Sequence, residues 1–207
     1  TLAALHAIDV DAAGLPDSGK PGTYFGRQVD RWTKQYRASE TETMPEMERL
    51  IEWLPKTLPE QTRTSIVHGD YRIDNMIFAA KEPKVIAVLD WELGTLGDPL
   101  ADFTYVAMAW VTSNGGRSGV MDLDRAALGI PELDEMVARY CAATGRDGIP
   151  DINWYFAYNF FRLAGIIQGI KKRVIDGTAT SPHARDMSER VRPLAEAAWG
   201  FAEKAGA

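Results

Sequence analysis

Cysteine is nearly absent: Cys141 is the only one in 207 residues. That excludes an intrachain disulfide and a cluster of thiolate metal ligands, and it fits a reducing cytoplasm, the location expected. Histidine is scarce as well, with three residues, of which His6 and His183 stand alone without ligand spacing and read as incidental. Basic residues are in deficit, 23 Lys and Arg against 29 Asp and Glu, for a net charge of −6. A nucleic-acid partner, which needs a basic face, is therefore not expected. Phosphorylated ligands stay possible, because a metal ion inverts a local acidic field. No apolar run approaches the roughly 18 residues of a membrane span, and no signal peptide is visible. Internal repeats and low-complexity tracts are missing too.

What is present is an ordinary folding composition, 45% hydrophobic, 10% aromatic and 25% charged. A chain of this length buries on the order of 70% of the surface its unfolded form exposes, so it needs no staple. It opens at Thr1, not Met, within a segment whose Leu2, Leu5 and Ile8 repeat at helical spacing. The expectation is a piece of something longer.

Residues 9–22 are a Gly-, Pro- and Asp-rich loop. Phe25, Val29, Trp32 and Tyr36 line one face of a helix. Thr43 to Glu46 has capping-box spacing, and Met47, Leu50, Ile51 and Leu54 follow on one side. Ser65–Val67, Met76–Phe78 and Val85–Leu89 are short apolar runs between turn residues and predict strands. Helices are expected over about 100–112, 132–144, 151–176 and 184–205, with Gly145 and Gly177 as stops. The fold class is α+β, mainly α, with a few short central strands, and residues 1–207 read as one domain.

The central β-patch holds Asp70, Asp74, Asp90, Glu92, Asp98 and Asp102, six carboxylates in 33 residues. Acidic residues at strand ends are where oxygen ligands hold hard cations. Residues 68–75 read His-Gly-Asp-Tyr-Arg-Ile-Asp-Asn. An Asp followed five positions later by Asn has a use in phosphoryl transfer: the Asp accepts the proton of the attacking hydroxyl and the Asn oxygen holds Mg²⁺. The strand running into Asp90 supplies a second metal ligand, in the place of the Asp-Phe-Gly segment of protein kinases. Gly14 to Pro21 imitates a phosphate loop, but Pro21 has no hydroxyl for Mg²⁺ and no strand precedes it. Gly69 to Asn75 also imitates a metallophosphatase loop, without the histidines such a site needs.

The order His68-Gly69-Asp70-x-x-x-x-Asn75, then Asp90-Trp91-Glu92, then Gly97-Asp98-Pro99-x-x-Asp102 resembles the aminoglycoside phosphotransferase/choline kinase family. The wording "HGDYRIDN…VLDWELGTLGDPLADF", with "RQVDRW" and "FFRLAGIIQGI", is similar to the branch of kinase-like domains fused to acyl-CoA dehydrogenases. The resemblance implies the C-terminal lobe of a protein-kinase-like fold, with ATP as co-substrate and Mg²⁺ as cofactor. It implies Asp70 as base, Asn75 and Asp90 as metal ligands, and Glu92 as a weaker assistant to the metal. It gives His68 a place beneath the catalytic loop, and Asp98 and Asp102 a bracing or helix-capping part. It also implies an N-terminal nucleotide-clamping lobe, which residues 1–64 do not resemble, so the 207 residues alone are expected to be inactive.

Trp154, Tyr155, Tyr158, Asn159 and Arg162 either line an acceptor pocket or belong to the core stripe of the long helix. Arg162, Lys171, Lys172 and Arg173 either contact a phosphorylated substrate or form a solvated face, Cys141 reads as a small buried hydrophobe, and residues 113–119 read as a mobile loop near a substrate cleft. The function expected is transfer of the ATP γ-phosphate to a hydroxyl of a small molecule. The alternative is a non-catalytic kinase-like module that binds a ligand or partner.

Overall fold

The computed structural model describes residues 1–15, 23–116 and 119–207. Most of the imitation phosphate loop and part of the 113–119 segment lie outside the described residues. The elements in order are α1 (Leu2–His6), α2 (Tyr24–Ser39), α3 (Pro45–Trp53), β1 (Ser65–Val67), β2 (Met76–Phe78), β3 (Val85–Val88), β4 (Thr95–Gly97), α4 (Leu100–Ala107), α5 (Leu133–Thr144), α6 (Ile152–Ile175), α7 (Ala184–Ser188) and α8 (Val191–Lys204). The mainly helical architecture with a few short strands matches the expected fold class. The chain divides into two compact units: Thr1–Gly22 with Gln61–Pro150, and Thr23–Glu60 with Asp151–Ala207.

The second unit is all helix. Its long α6 packs on α2, α7 and α8, and α3 packs on α8. The apolar stripe of α2 buries Phe25, Val29, Trp32 and Tyr36, as its spacing requires. Along α8, Ala195, Ala198 and Ala202 are buried and small, which lets α6 approach closely. Phe160 stacks on Phe201 with ring centroids 5.5 Å apart. Gln168, fully buried, donates to Ser39 O at 2.7 Å and Thr41 Oγ1 at 2.9 Å, closing the C-terminus of α2.

Two expected helix boundaries are corrected here. Thr43 does not cap α3: the cap position is Met44, with no side-chain bond, because Pro45 occupies the first turn and holds Met44 extended at φ −113° and ψ 113°. The single helix expected over 184–205 is two, α7 and α8. The ring of Pro193 clashes with the carbonyl four residues back, so a fresh helix starts at Val191 with Pro193 in its first turn.

The first unit carries every strand. β1 pairs antiparallel with β4, Ile66 opposite Leu96, and β2 pairs antiparallel with β3, Met76 opposite Val88. α1 lies against both β1 and α5. The helix expected over 100–112 is α4 followed by a tighter 3₁₀ turn, Met108–Val111. Gly145 at φ 62° ends α5, and Arg63 covers the last carbonyls, donating to Thr144 O and, at 2.6 Å, to Gly145 O.

Candidate active site

The loop from His68 to Asn75 leaves β1 and enters β2, and one side chain fixes its entry. Asp102, in the first turn of α4, accepts the His68 N–H on Oδ2 at 2.6 Å and the Gly69 N–H on Oδ1 at 2.8 Å. Both carboxylate oxygens are thereby engaged by backbone amides, in a site where Asp102 is 1% exposed. Charge-assisted bonds of this kind contribute roughly 1.5–3 kcal/mol each. Asp98 accepts the Leu100 N–H at 2.9 Å and so caps α4, the helix that presents Asp102. Burial pushes the Asp98 carboxyl above its usual range, against the Leu100 bond and the positive charge of Arg146.

Gly69 is required by two facts at once. Its φ is 84°, and a Cβ there would lie 2.8 Å from Leu93 O and 2.9 Å from Leu93 Cβ. The loop therefore packs against the turn that follows β3 more closely than any side chain allows.

His68 is fully buried and joins the two halves of the site. Its Nδ1 accepts the Asp70 N–H at 3.2 Å, and its Nε2 donates to Leu89 O at 2.7 Å. An acceptor at one nitrogen and a donor at the other define the neutral ring with its proton on Nε2. Trp91 tilts over this imidazole, centroids 4.6 Å apart, and anchors its own indole N–H on Val88 O at 2.9 Å.

Asp70 is half-buried. The Asn75 side-chain amide donates to Asp70 O at 2.9 Å and to Asp70 Oδ2 at 3.1 Å. Both of those atoms accept only, so the Asn75 NH₂ must face them and its Oδ1 points away from them. The Leu89 N–H donates to Asn75 O at 2.8 Å, extending the β2–β3 ladder by one rung. Asp90 is the next residue, exposed, in the left-handed region at φ 65° and ψ 57°. An Asp tolerates that conformation better than most side chains, at a cost of order 1 kcal/mol. Glu92 is exposed on the 3₁₀ turn Trp91–Leu93.

The six carboxylates of the β-patch thus separate by task. Asp102 and Asp98 face backbone amides, Asp74 pairs with Arg72 at the surface, and Asp70, Asp90 and Glu92 remain around the loop and the end of β3. Among the described residues no group of three or more His, Cys, Asp or Glu could enclose a metal.

Trp154, Tyr158 and Arg162 belong to the other unit. All three are buried in the helical unit. Trp154 and Tyr158 pack edge-on against Phe25 at 5.2 and 5.0 Å, and Arg162 lies over the Trp32 ring at 5.3 Å. Their places in the core come from the same stripe that makes α6 amphipathic, and burial pushes the Tyr158 hydroxyl above the usual phenol range.

His6 was missed. It is 8% exposed, with its ring Nδ1 2.8 Å from Tyr140 Oη and its Nε2 3.4 Å from Asp102 Oδ2. The available signal was its spacing from Leu2, one turn earlier on the same helix face.

No helix among the described residues is long and apolar enough to cross a membrane. The chain is 47% identical over 207 residues to acyl-CoA dehydrogenase family member 10 of Mus musculus, a match that covers 99% of this chain and 19% of that protein. In a crystal structure from Ralstonia eutropha, provisionally named an aminoglycoside phosphotransferase, 62% of the chain superposes on 98% of this one, with a TM-score of 0.94 and 53% identity. The macrolide 2′-phosphotransferase of Brachybacterium faecium shares the fold alone, with a TM-score of 0.54 and 18% identity over 93% of this chain and 58% of that one. This chain therefore spans about a fifth of the mouse relative and about three-fifths of each solved one. The model of the phosphotransferase enzyme family matches residues 1–158, with the whole loop and both of its supports inside the match, and the chain belongs to that family.

Proposed function

We propose that the intact protein is an ATP- and Mg²⁺-dependent kinase that phosphorylates a hydroxyl group of a small molecule. One observation carries the reading: Asn75 grips Asp70 with its amide, while the rung from Leu89 brings Asp90 alongside Asn75. In this reading Asp70 is the base. Asn75 holds its Oδ2, and its Oδ1 has no partner among the described residues, so that oxygen takes the proton of the acceptor hydroxyl. His68 and Asp102 hold the backbone of the loop and so aim the carboxylate.

The donor set fits magnesium. Asn75 Oδ1 and the Asp90 carboxylate are hard oxygen ligands, and Mg²⁺ is ordinarily held by one or two such groups with phosphate and water completing the shell. Glu92 is a weaker third candidate. When bound, the ion would neutralise charge on the nucleotide phosphates.

The β2–β3 ribbon leaves Ile73, Ile77, Phe78, Ile86, Leu89 and Trp91 exposed around it. A bare two-stranded ribbon is marginal by itself, and an apolar patch of this extent ordinarily has a cover. A nucleotide-clamping lobe outside these residues is the proposed cover. Residues 1–207 alone are then expected to bind ATP more weakly than the intact protein and not to turn over.

The acceptor proposed is a hydroxylated acyl compound or similar small metabolite, in keeping with the acyl-CoA dehydrogenase name of the mouse relative. The test is ATP consumption by the intact protein with Mg²⁺ against hydroxyacyl compounds, amino sugars and choline. Consumption with hydroxyacyl compounds supports the reading. Consumption confined to amino sugars or choline moves the acceptor class, and none with any acceptor points to a binding module.

A further inference from the structure

We propose that His6 is a positioning residue for the catalytic loop, acting through Asp102. The reading of Asp70 as base is assumed in this, but the contacts are independent of it. The His6 side chain is 2% exposed and Asp102 is 1% exposed, so neither exchanges partners with water.

Asp102 only accepts, so the His6 nitrogen facing it, Nε2, carries the proton. The other ring nitrogen, Nδ1, lies 2.8 Å from Tyr140 Oη, a hydroxyl that both donates and accepts. Burial pushes the Tyr140 hydroxyl well above the usual phenol range, which keeps its proton in place for that bond. Tyr140 is itself fixed by stacking on Phe103 of α4, centroids 4.1 Å apart. The contact from His6 to Asp102 is long at 3.4 Å, and its weight comes from the dry surroundings, where a dipole aimed at a carboxylate is screened little. The same Oδ2 accepts the His68 N–H. His6 therefore sets the position of the oxygen from which the loop hangs.

The main chain makes the attachment double. The His6 carbonyl accepts the Ser65 hydroxyl at 2.9 Å, at the start of the strand whose end leads into His68. One residue at the end of α1 thus ties down β1 at its beginning and, through Asp102, just past its end. A role limited to filling space would ask for an apolar side chain here. The observed ring is held at both nitrogens instead.

The test is amide hydrogen exchange in the intact protein. His6→Leu removes both ring bonds at similar volume, and the His68 and Gly69 amides are expected to exchange about tenfold faster while those of α6 stay unchanged. His6→Gln restores an amide donor toward Asp102 and a carbonyl acceptor toward Tyr140, and is expected to return exchange to near the parent rate. An unchanged rate in His6→Leu overturns the proposal, and so does a Gln variant as fast as the Leu variant. If His6→Leu does not fold, Tyr140→Phe gives the same reading on a smaller scale, and no acceleration there is contradictory. Once an acceptor is known, His6→Leu lowers kcat and leaves the KM for ATP unchanged; the reverse pattern contradicts the proposal. Exchange needs no acceptor, so its outcome is separate from the fate of the kinase reading.

Discussion

In the helical unit the buried bulk is Phe156, Phe160, Phe161, Tyr155 and Tyr158, with Phe156 and Phe160 packed ring to ring on Phe201 and Tyr155 and Tyr158 on Phe25. In the unit that carries the His68–Asn75 loop, the residues that fix the loop are His6, His68, Asp98 and Asp102, each buried and each bonded to a backbone group or to another of the set. Apolar packing is tolerant: a ring that shifts slightly keeps most of its contacts. A buried carboxylate is not, because its partners lie at fixed distances and losing one leaves a charge in a dry place. The first unit accepts that exposure to failure, and with it obtains a loop held at named atoms. Precision of this kind is what positioning a base requires.

The contrast can be tested by substitutions that separate stability from loop order. Phe161→Ala, at a fully buried position, is expected to lower unfolding free energy by about 3–5 kcal/mol in urea. It should leave exchange at the His68 and Gly69 amides unchanged under native conditions. Asp102→Ala is expected to remove about 2–4 kcal/mol and to free both of those amides, since two donors lose their acceptor. Gly69→Ala forces a Cβ against Leu93 and a left-handed φ on an L residue, at about 1–3 kcal/mol. Its loss of phosphate transfer should exceed its loss of stability.

Asp98→Asn should have the smallest effect. Burial raises this carboxyl above its usual value of 3.8, so the folded chain holds the proton more tightly than the unfolded chain. The carboxyl therefore favours folding below that value and loses this contribution as pH rises through its raised value. Asn keeps an oxygen for the Leu100 N–H without the charge. Thermal unfolding at pH 7 should be equal or slightly higher in Asp98→Asn, by under about 1 kcal/mol, and the difference should shrink on acidification. A large loss at pH 7 would mean that the Asp98 charge, and not its oxygen, supports α4.

The helices of the second unit were legible because their burial follows a period: the stripes of α2 and α6 appear in the sequence as they appear in the core. The loop was legible for a different reason, as a spacing of Asp and Asn with a known chemical use. β4 was missed because Thr95–Gly97 has no apolar alternation, and its pairing with β1 is decided by a partner some thirty residues away. His6 was missed because its partners, Tyr140 and Asp102, are remote in sequence and nothing local marks it. The split between α7 and α8 follows from a steric rule at Pro193 that overrides the periodicity. Trp154, Tyr158 and Arg162 carried two readings at equal spacing, and burial places them in the core.

The most direct measurement is ATP-dependent phosphate transfer by the intact protein with and without Asp70→Asn. The Asn side chain still offers Asn75 an oxygen to hold, so loop geometry and nucleotide binding should survive. The account predicts a loss of transfer of about 10²–10⁴-fold with the KM for ATP unchanged. Transfer by Asp70→Asn at the parent rate would contradict it.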